Sequence, residues 1–476
     1  MKLQSLWIDG YKNIINTNIN FSDERTIAII GNNGTGKSNL IEALLNIFVN
    51  LYYGKYSDFK YLIKYEAHGK QVEIHYQSPQ YDNKILVDEN TWSNNKFAIR
   101  AKDANLMPPF PAMVFGYYSG TCERMNNLFK SYKRTYFSKL RNQSDDLNKS
   151  FIFSDIEQSE FILLGLLAHE KSDFLNEISI DSLNQLEIIL QPSKQYDREK
   201  DDPVSWGLKG AFNDFLSTIA RYSNESKSTS KIYEVEGIIK EERKYVFNQE
   251  ELVSLGQYVA GTGNTVYNIF QAFDKKGMVR KLGYSVLHKN RETVINFDDL
   301  SEGEKQLISV IGGLWLNLQN ECLILLDEPD THLNPSWSWK YHSLLNKALE
   351  STQRNSSTVL IATHDPVLIS GLSKEQVLIS HRSNEGLTYT QPHRNPRGQG
   401  VANVLTSEFF GLPSSLDKAT QELIDERLLL AYKENPLSPV ERERLQEINI
   451  KLQELGLGIS YREEDYKEYE KAKYEG

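Results

Sequence analysis

Apolar and polar positions follow two rhythms along this chain, and each predicts its own kind of element. Met1 to Ile8 and Val72 to Gln77 alternate residue by residue, as strands do when one face is covered. Residues 1 to 30 split into three strand-like runs at Asp9-Gly10 and Ser22-Asp23-Glu24, and Val72 to Gln77 should pair in a hairpin with the run near Tyr61 to Tyr65. Thr26 to Ile30, Met113 to Ser119, Leu323 to Leu326 and Thr358 to Ala362 are apolar with little alternation, the pattern of strands buried on both faces. Leu186, Ile188 and Leu190 alternate as one further strand, and Ser223 to Lys231 is a polar loop. Helical spacing appears after residue 38, through Phe161 to Leu167 behind a capping box Ser154-Asp155-Ile156-Glu157, from Trp206 to Ala220, from Leu307 to Leu316 and from Leu416 to Tyr432. A last helix is announced by Ser438-Pro439-Val440-Glu441, with Leu445, Ile448, Leu452 and Leu455 as one apolar stripe that Gly456 ends.

The candidate chemistry sits where the doubly buried runs stop. Gly31-Asn32-Asn33-Gly34-Thr35-Gly36-Lys37-Ser38 fits G-x-x-x-x-G-K-[ST] and lies between an apolar strand and a helical run, Asn39 to Leu45. Backbone N–H groups and the helix dipole can then face phosphates. Leu323 to Leu326 runs into Asp327-Glu328-Pro329-Asp330, two adjacent carboxylates of which one can hold Mg²⁺ and the next polarise water. Ser301-Glu302-Gly303-Glu304 opens a helical run and is either a plain N-cap or a helix start aimed at an anion. Thr358 to Ala362 leads to Thr363-His364-Asp365, which would place a ring donor at the same sheet edge.

Length and charge narrow the classes. With 476 residues, two to four domains are expected, and 39% hydrophobic residues can fill ordinary cores. A net charge of -10 excludes a surface that coats nucleic acid all over, so any such contact needs a local patch. Cys122 and Cys322 suggest neither a disulfide framework nor a metal cluster. The first residues lack a signal-peptide core, and the longest apolar block, Phe161 to Ala168, is far too short to span a bilayer, so a cytoplasmic protein with no membrane contact is expected. With the phosphate loop starting at residue 31, everything else is expected to be inserted after it or appended.

Between 121 and 299 the character changes. Lys130, Lys133, Arg134, Lys139 and Arg141 fall among Tyr132, Tyr136 and Phe137, a mixture that suits either a solvated helix face or a surface touching phosphates and bases. Lys275, Lys276, Arg280, Lys281, Lys289 and Arg291 form a second basic cluster, better suited to solvated surface. No sustained heptads and no internal repeat occur.

Taken together, the phosphate loop, Leu300-Ser301-Glu302-Gly303-Glu304-Lys305-Gln306, the apolar strand with Asp327-Glu328-Pro329 and Thr363-His364-Asp365 resemble the ATP-binding-cassette (ABC) ATPases, in particular their SMC, RecF and OLD branch. The resemblance implies an α/β fold: an ABC-ATPase head on a P-loop NTPase sheet, an inserted α/β helical lobe and a C-terminal helical tail. Its expected parts are 1–120 and 300–415 for the head, 121–299 for the insert and 416–476 for an acidic, partner-docking tail. It further implies ATP and Mg²⁺ as cofactors. Asn32, Asn33, Gly34, Thr35, Gly36, Lys37, Ser38 and Asn39 would hold the phosphates, Ser38 and Asp327 the Mg²⁺. Glu328 would be the general base and His364 the γ-phosphate sensor. Ser301, Gly303 and Glu304 would complete the site of a second subunit in an ATP-sandwiched homodimer, with Thr331 to Asn334 crossing between subunits. One departure stands out: the family's glutamine after the strand into its helical lobe has no counterpart after Tyr117-Tyr118-Ser119. Either Ser119 or a water takes its place, or a different strand is the counterpart.

The C-terminal stretch, Phe409-Phe410-Gly411-Leu412 followed by two helical runs and a Tyr-rich end with 15 acidic and 10 basic residues from Asp417 on, resembles the ATPase subunits of anti-phage systems of the Septu (PtuA-like) kind, some of them retron-associated. That likeness implies a slow, dimer-dependent ATPase that controls a separate HNH-type nuclease or other effector, with DNA or a retron nucleic acid as a further partner. A RecF-like or SMC-like repair clamp is the alternative. A transporter ATPase fits poorly, because its signature has two adjacent glycines where this chain has Glu302-Gly303-Glu304.

Overall fold

The computed structural model describes residues 1–103, 107–120, 124–141, 149–235, 238–262, 264–289, 293–350, 356–383, 386–433 and 435–457. Cys122, Arg291, the side chains of Phe137, Lys139 and Arg141, and the end of the acidic tail lie outside the described residues. The chain divides into two compact units, Met1–Gly398 and Gln399–Gly476.

In the first unit every doubly buried run enters one seven-stranded sheet. Its order is Gly386–Thr390, Val377–Ser383, Thr26–Ile30, Thr358–Ala362, Cys322–Asp327, Met113–Tyr118, Phe151–Ser154. All neighbours pair in parallel except the Val377–Ser383 and Gly386–Thr390 hairpin at one edge. Both faces are covered, which is why these strands carry no polar alternation. Asp327 lies opposite Ala362 on one side and Tyr118 on the other, and Ala362 lies opposite Ile29. Parallel pairing thus aligns the carboxyl ends of four strands, where open α/β sheets bind ligands.

Two antiparallel sheets flank this frame. The first two of the three strands expected before residue 30, Lys2–Asp9 and Thr17–Asn20, join Lys60–Ala67, Lys70–Tyr76, Asn83–Val87 and Asn90–Trp92. Only the third, Thr26–Ile30, enters the main sheet. The other sheet collects Thr229–Val235, Ile238–Phe247, Ile180–Leu190, Val279–His288 and Thr293–Asn296. Helix Ser159–Ala168 carries buried residues around most of its circumference and packs between helices Gln249–Gly261 and Val266–Lys275 and the segment Ile308–Gly312. Its apolar block is a core helix, and among the described residues no helix is long and apolar enough to cross a membrane.

Three local expectations change. Ser154 ends a strand, and Asp155 takes the N-cap by accepting from Gln158 N–H, because strand pairing holds Ser154 extended in the main sheet. The helix expected from Trp206 runs from Gly210 to Tyr222; Trp206 sits in a turn at φ 54° and is fixed by its Nε1–H donating to Glu241 Oε1 at 2.8 Å. Thr229 to Lys231 belong to a strand rather than a polar loop, since Ile238–Phe247 offers them an antiparallel edge. Phe151–Ser154, which falls within 121–299, completes the main sheet.

The second unit holds helices Gly400–Thr406, Lys418–Ala431 and Pro439–Glu454. Ser438 and Glu441 form the capping box, with Pro439 at the first helical position. Of the stripe, Ile448 and Leu452 are buried and Leu455 is exposed. Arg444 grips Glu426 through two bonds of 2.7 Å, joining the last two helices.

Close helix packing gives a test of the core. A Cβ on Gly256 would overlap the carbonyl oxygen of Ala168, a backbone atom that cannot swing aside. Gly256→Ala should cost about 1–3 kcal/mol of stability, read as a lower urea midpoint at unchanged slope.

Candidate active site

The phosphate-loop segment starts at the end of Thr26–Ile30 and turns through Gly31 (φ 145°), Gly34 (φ 81°) and Gly36 (φ 83°) into helix Lys37–Tyr52. Glycine is required at Gly31 for space as well as conformation, because a Cβ there would overlap the Ser380 backbone and hydroxyl oxygens. At Gly36 it would meet Leu387 Cδ1 at 2.7 Å and Tyr389 Oη at 3.2 Å. Gly36 is also the N-cap and provides no side chain, so the first N–H groups of the helix have no capping side chain and are available to an anion.

Residues outside the motif hold the loop in shape. Thr35 Oγ1 donates to Asn32 O at 2.7 Å and lies 2.6 Å from Ser380 Oγ, whose hydroxyl reaches Ile30 O. Asn13 Nδ2 donates to Gly34 O at 3.0 Å, and Asn39 Nδ2 donates to Asn13 Oδ1 at 2.6 Å. Tyr389 Oη donates to Gly36 O at 3.2 Å. Asn13, Ser380 and Tyr389 lie in three different strands or turns, and no spacing in the sequence ties them to the loop. Asn33 is exposed.

Lys37 is buried and its ammonium donates to Gly31 O at 2.7 Å and Asn32 O at 3.2 Å. Burial holds its pKa below the ordinary lysine value, and the charges of Glu328 and Asp327 partly restore it. Ser38 Oγ donates to Asp327 Oδ1 at 3.0 Å. Asp327 is 1% exposed; burial pushes its carboxyl up to about 7, the Ser38 hydrogen bond opposes this and the charge of Glu328 adds to it. A buried carboxylate beside a hydroxyl, with another acid next to it, is a donor set that suits a hard divalent cation. Among the described residues no group of three or more His, Cys, Asp or Glu could hold a metal by itself, so any ion here would take further oxygens from a ligand or water.

Glu328 has φ 50°, a left-handed conformation uncommon for a residue with a Cβ, and its N–H donates to Ala362 O at 2.8 Å. The turn points its carboxylate out of the strand, where Oε1 lies 3.3 Å from His364 Nδ1. Ser119 follows the strand beside Asp327: its N–H donates to Asp327 O at 3.2 Å and its Oγ lies 3.1 Å from Thr331 Oγ1. The strand compared in the sequence is therefore the neighbour of the carboxylate strand, and a serine stands at its end.

Ser301 caps helix Glu302–Leu307 in a full capping box: its Oγ accepts from Glu304 N–H and its hydroxyl donates to Glu304 Oε2 at 2.7 Å. The N-cap alternative is thus realised within the chain, and Ser301 remains exposed. Gly303 lets the helix approach His332 O, which a Cβ would meet at 2.9 Å. Buried Gln306 joins the same two segments, donating to Pro329 O at 2.7 Å and accepting from His332 N–H at 3.1 Å. Immediately beyond, Ile308–Gly312 forms a π-helical turn, a feature that tends to mark functional segments. Asp330 accepts from Thr363 Oγ1 at 2.6 Å, and burial lifts its carboxyl to about 6.

The site should show in pH-dependent stability. Asp327 binds a proton more tightly in the folded chain (about 7) than when unfolded, so the stability it contributes is present below about pH 4 and is lost as pH rises toward 7. In the absence of divalent cations, Asp327→Asn should therefore gain on the order of 2–4 kcal/mol relative to wild type between pH 4 and 8, measured by urea titration. A constant difference across that range would contradict the burial argument.

Comparison with known proteins gives the family. Residues 124–370 match the family model described as "AAA domain, putative AbiEii toxin, Type IV TA system", and residues 14–150 match the ABC transporter model. The chain is 30% identical over 180 residues to the Septu protein PtuA of Bacillus mycoides (strain KBAB4), a match covering 36% of this chain but only 24% of that protein. It is 24% identical over 451 residues to the retron Vc95 probable ATPase of Vibrio cholerae serotype O1 biovar El Tor, covering 85% of this chain and 78% of the relative. Among solved structures, an Smc head bound to the C-terminal winged-helix domain of ScpA aligns at TM-score 0.36 and 12% identity over 82% of this chain and 98% of that one. The recombination mediator RecF aligns at TM-score 0.31 and 13% identity over 81% of this chain and 97% of that one. Scores this low carry no weight in the assignment. The family model spans more than half of the sequence, and the chain belongs to that AAA-domain family as an ABC-type ATPase.

Proposed function

We propose that the chain binds ATP with Mg²⁺ and hydrolyses it slowly, as the regulatory subunit of an anti-phage defence complex whose nuclease, of HNH type, is a separate protein. One observation carries the ATP reading: at the aligned carboxyl ends of parallel strands, Lys37, the uncapped helix N-terminus and the Ser38–Asp327 pair converge, with Glu328 turned outward beside His364. Lys37 and the loop amides of Asn32 to Asn39 would hold phosphates, Ser38 and Asp327 would hold Mg²⁺, and the ion would neutralise charge on the transferred group. Glu328 would take the proton of the attacking water, and His364, in contact with it, would sense the terminal phosphate. Ser301 is exposed and Gly303 and Glu304 are half-buried at the same helix start, and the three would act on nucleotide held by a second copy once the Ser301 hydroxyl turns away from Glu304 Oε2. Hydrolysis would then require a dimer.

The defence reading rests on the likeness to PtuA and the retron ATPase, together with the acidic tail. A sequence with 15 acidic and 10 basic residues from Asp417 on suits a protein partner better than DNA. Cytoplasmic placement follows from this role.

Glu328→Gln should lower turnover by about 10²-fold or more while retaining ATP, with dimer accumulating in light scattering. Unchanged turnover would remove Glu328 from the mechanism. Co-purification at fixed ATP with the neighbouring gene products should bring a stoichiometric nuclease that is lost on deletion of 417–476. A chain that instead arrives alone with salt-removable DNA would favour a repair clamp.

A further inference from the structure

The sequence leaves the basic and aromatic run after residue 129 without a use, and the structure gives it one. A cavity of about 460 Å³ opens between helices Arg124–Arg141 and Val266–Lys275, strand Phe151–Ser154 and the start of strand Val279–His288. That size is ordinary for a small-molecule site, and its lining residues include none of the phosphate loop.

Two ammonium groups face into it with donors to spare. Lys133 Nζ gives one hydrogen bond, to Asn126 Oδ1 at 2.6 Å, and stands 4.8 Å from the Phe153 ring. Lys149 Nζ bonds Gln271 Oε1 and stands 4.8 Å from the Tyr267 ring. Among the described residues neither makes an ion pair, whereas Lys275, Arg280 and Lys281 at the same cavity are paired with Asp274, Glu242 and Glu187. Each ammonium has three donors, so most of theirs are left for a ligand. Burial, reinforced by Lys133 and Lys275, pushes Lys149 down to about 7, as befits a cation without a counter-ion.

The cavity's acids are less able to reject an anion than their number suggests. Burial raises the Asp155 carboxyl above its ordinary range, against the charge of Lys133 and the hydrogen bonds from Gln158, and lifts Glu160 to about 7, so both take up a proton more readily than a solvated acid. Gln271 is oriented by donating Nε2 to Tyr267 Oη and Gln158 Oε1, both at 3.0 Å, which fixes its oxygen toward Lys149. The Tyr132 and Tyr136 rings, stacked on each other 13° from parallel, add aromatic surface to the lining.

We propose that this cavity binds a phosphate ester carrying a planar base, either a free mononucleotide or the 5′ end of a strand, with Lys133 and Lys149 on the phosphate. The cavity wall is also tied to the ATPase machinery. Ser154 Oγ donates to Ser309 O at 2.8 Å, and Ser309 Oγ donates to Asp155 O at 2.9 Å. Ser309 lies in the π-helical turn that continues the Ser301 helix, so a shift of Phe153 to Asp155 on binding would bear on the signature segment. This coupling, unlike the binding, rests on the ATPase reading above.

Isothermal titration of full-length Lys37→Ala protein, in which the phosphate loop is disabled, tests the binding directly. AMP or a 5′-phosphorylated hexadeoxyadenylate should bind one site per chain. Removing the phosphate from either probe, or introducing Lys133→Met or Lys149→Met, should weaken binding at least tenfold. The probe that binds more tightly identifies the source, a free nucleotide or a strand end. If Lys149→Met does not fold by circular dichroism, Lys133→Met and the dephosphorylated probes decide. No binding at millimolar probe, or affinities indifferent to phosphate and to the folded lysine variants, would overturn the proposal. Because no hydrolysis is read, failure here is distinct from failure of the ATPase assignment. For the coupling, Ser309→Ala should bind the same probe but no longer change ATP turnover when it is added.

Discussion

The site depends on one buried polar contact at the end of an apolar strand. Asp327 is the first polar residue after Leu323 to Leu326, and its carboxylate meets Ser38 beside the base of the phosphate loop. Burial makes the charged form costly. That cost is partly offset by the nearby Lys37 ammonium. Parallel register makes the meeting possible: Ala362 pairs with both Asp327 and Ile29, so the loop strand, the histidine strand and the carboxylate strand stop at one level. A one-residue slip would reverse which side chains face the loop.

Around that contact the structure spends hydrogen bonds on backbone shape more than on side-chain charge. Ser380, Tyr389 and Asn13 all address loop oxygens or hydroxyls, and Gln306 clamps the turn after Glu328 to the Ser301 helix. Such bonds preorganise donors and acids before any ligand arrives, which is how electrostatic stabilisation of phosphoryl transfer is achieved. Glu328 adds a local strain, its positive φ, that aims a carboxylate which an unstrained strand would direct elsewhere.

The same economy links distant parts of the first unit. The Ser154 and Ser309 hydroxyls exchange hydrogen bonds with each other's segments, joining the edge of the main sheet to the turn after the Ser301 helix. A ligand shifts an equilibrium only through contacts that differ between its states, and such a joint supplies contacts of that kind.

The sequence by itself determined the ATPase class and most of the central strands. Glycine spacing, doubly buried apolar runs and acids at strand ends are local signals, and local signals survive without coordinates. It also determined the Ser438 cap, because a capping box spans only four residues, and offered the Ser301 cap as one of two readings. Tertiary structure decided what depends on long-range pairing. Ser154 reads as a cap until a parallel neighbour holds it extended, and the first two strands read like the third until pairing sends them to another sheet. Asn13, Ser380 and Tyr389 carry no motif, since their function lies in reaching a loop far away in sequence. Lys133 belongs in the sequence to a run that suits either a solvated helix face or a phosphate-touching surface, and Lys149 carries no signal there. Only packing shows that both line a cavity, where among the described residues neither makes an ion pair.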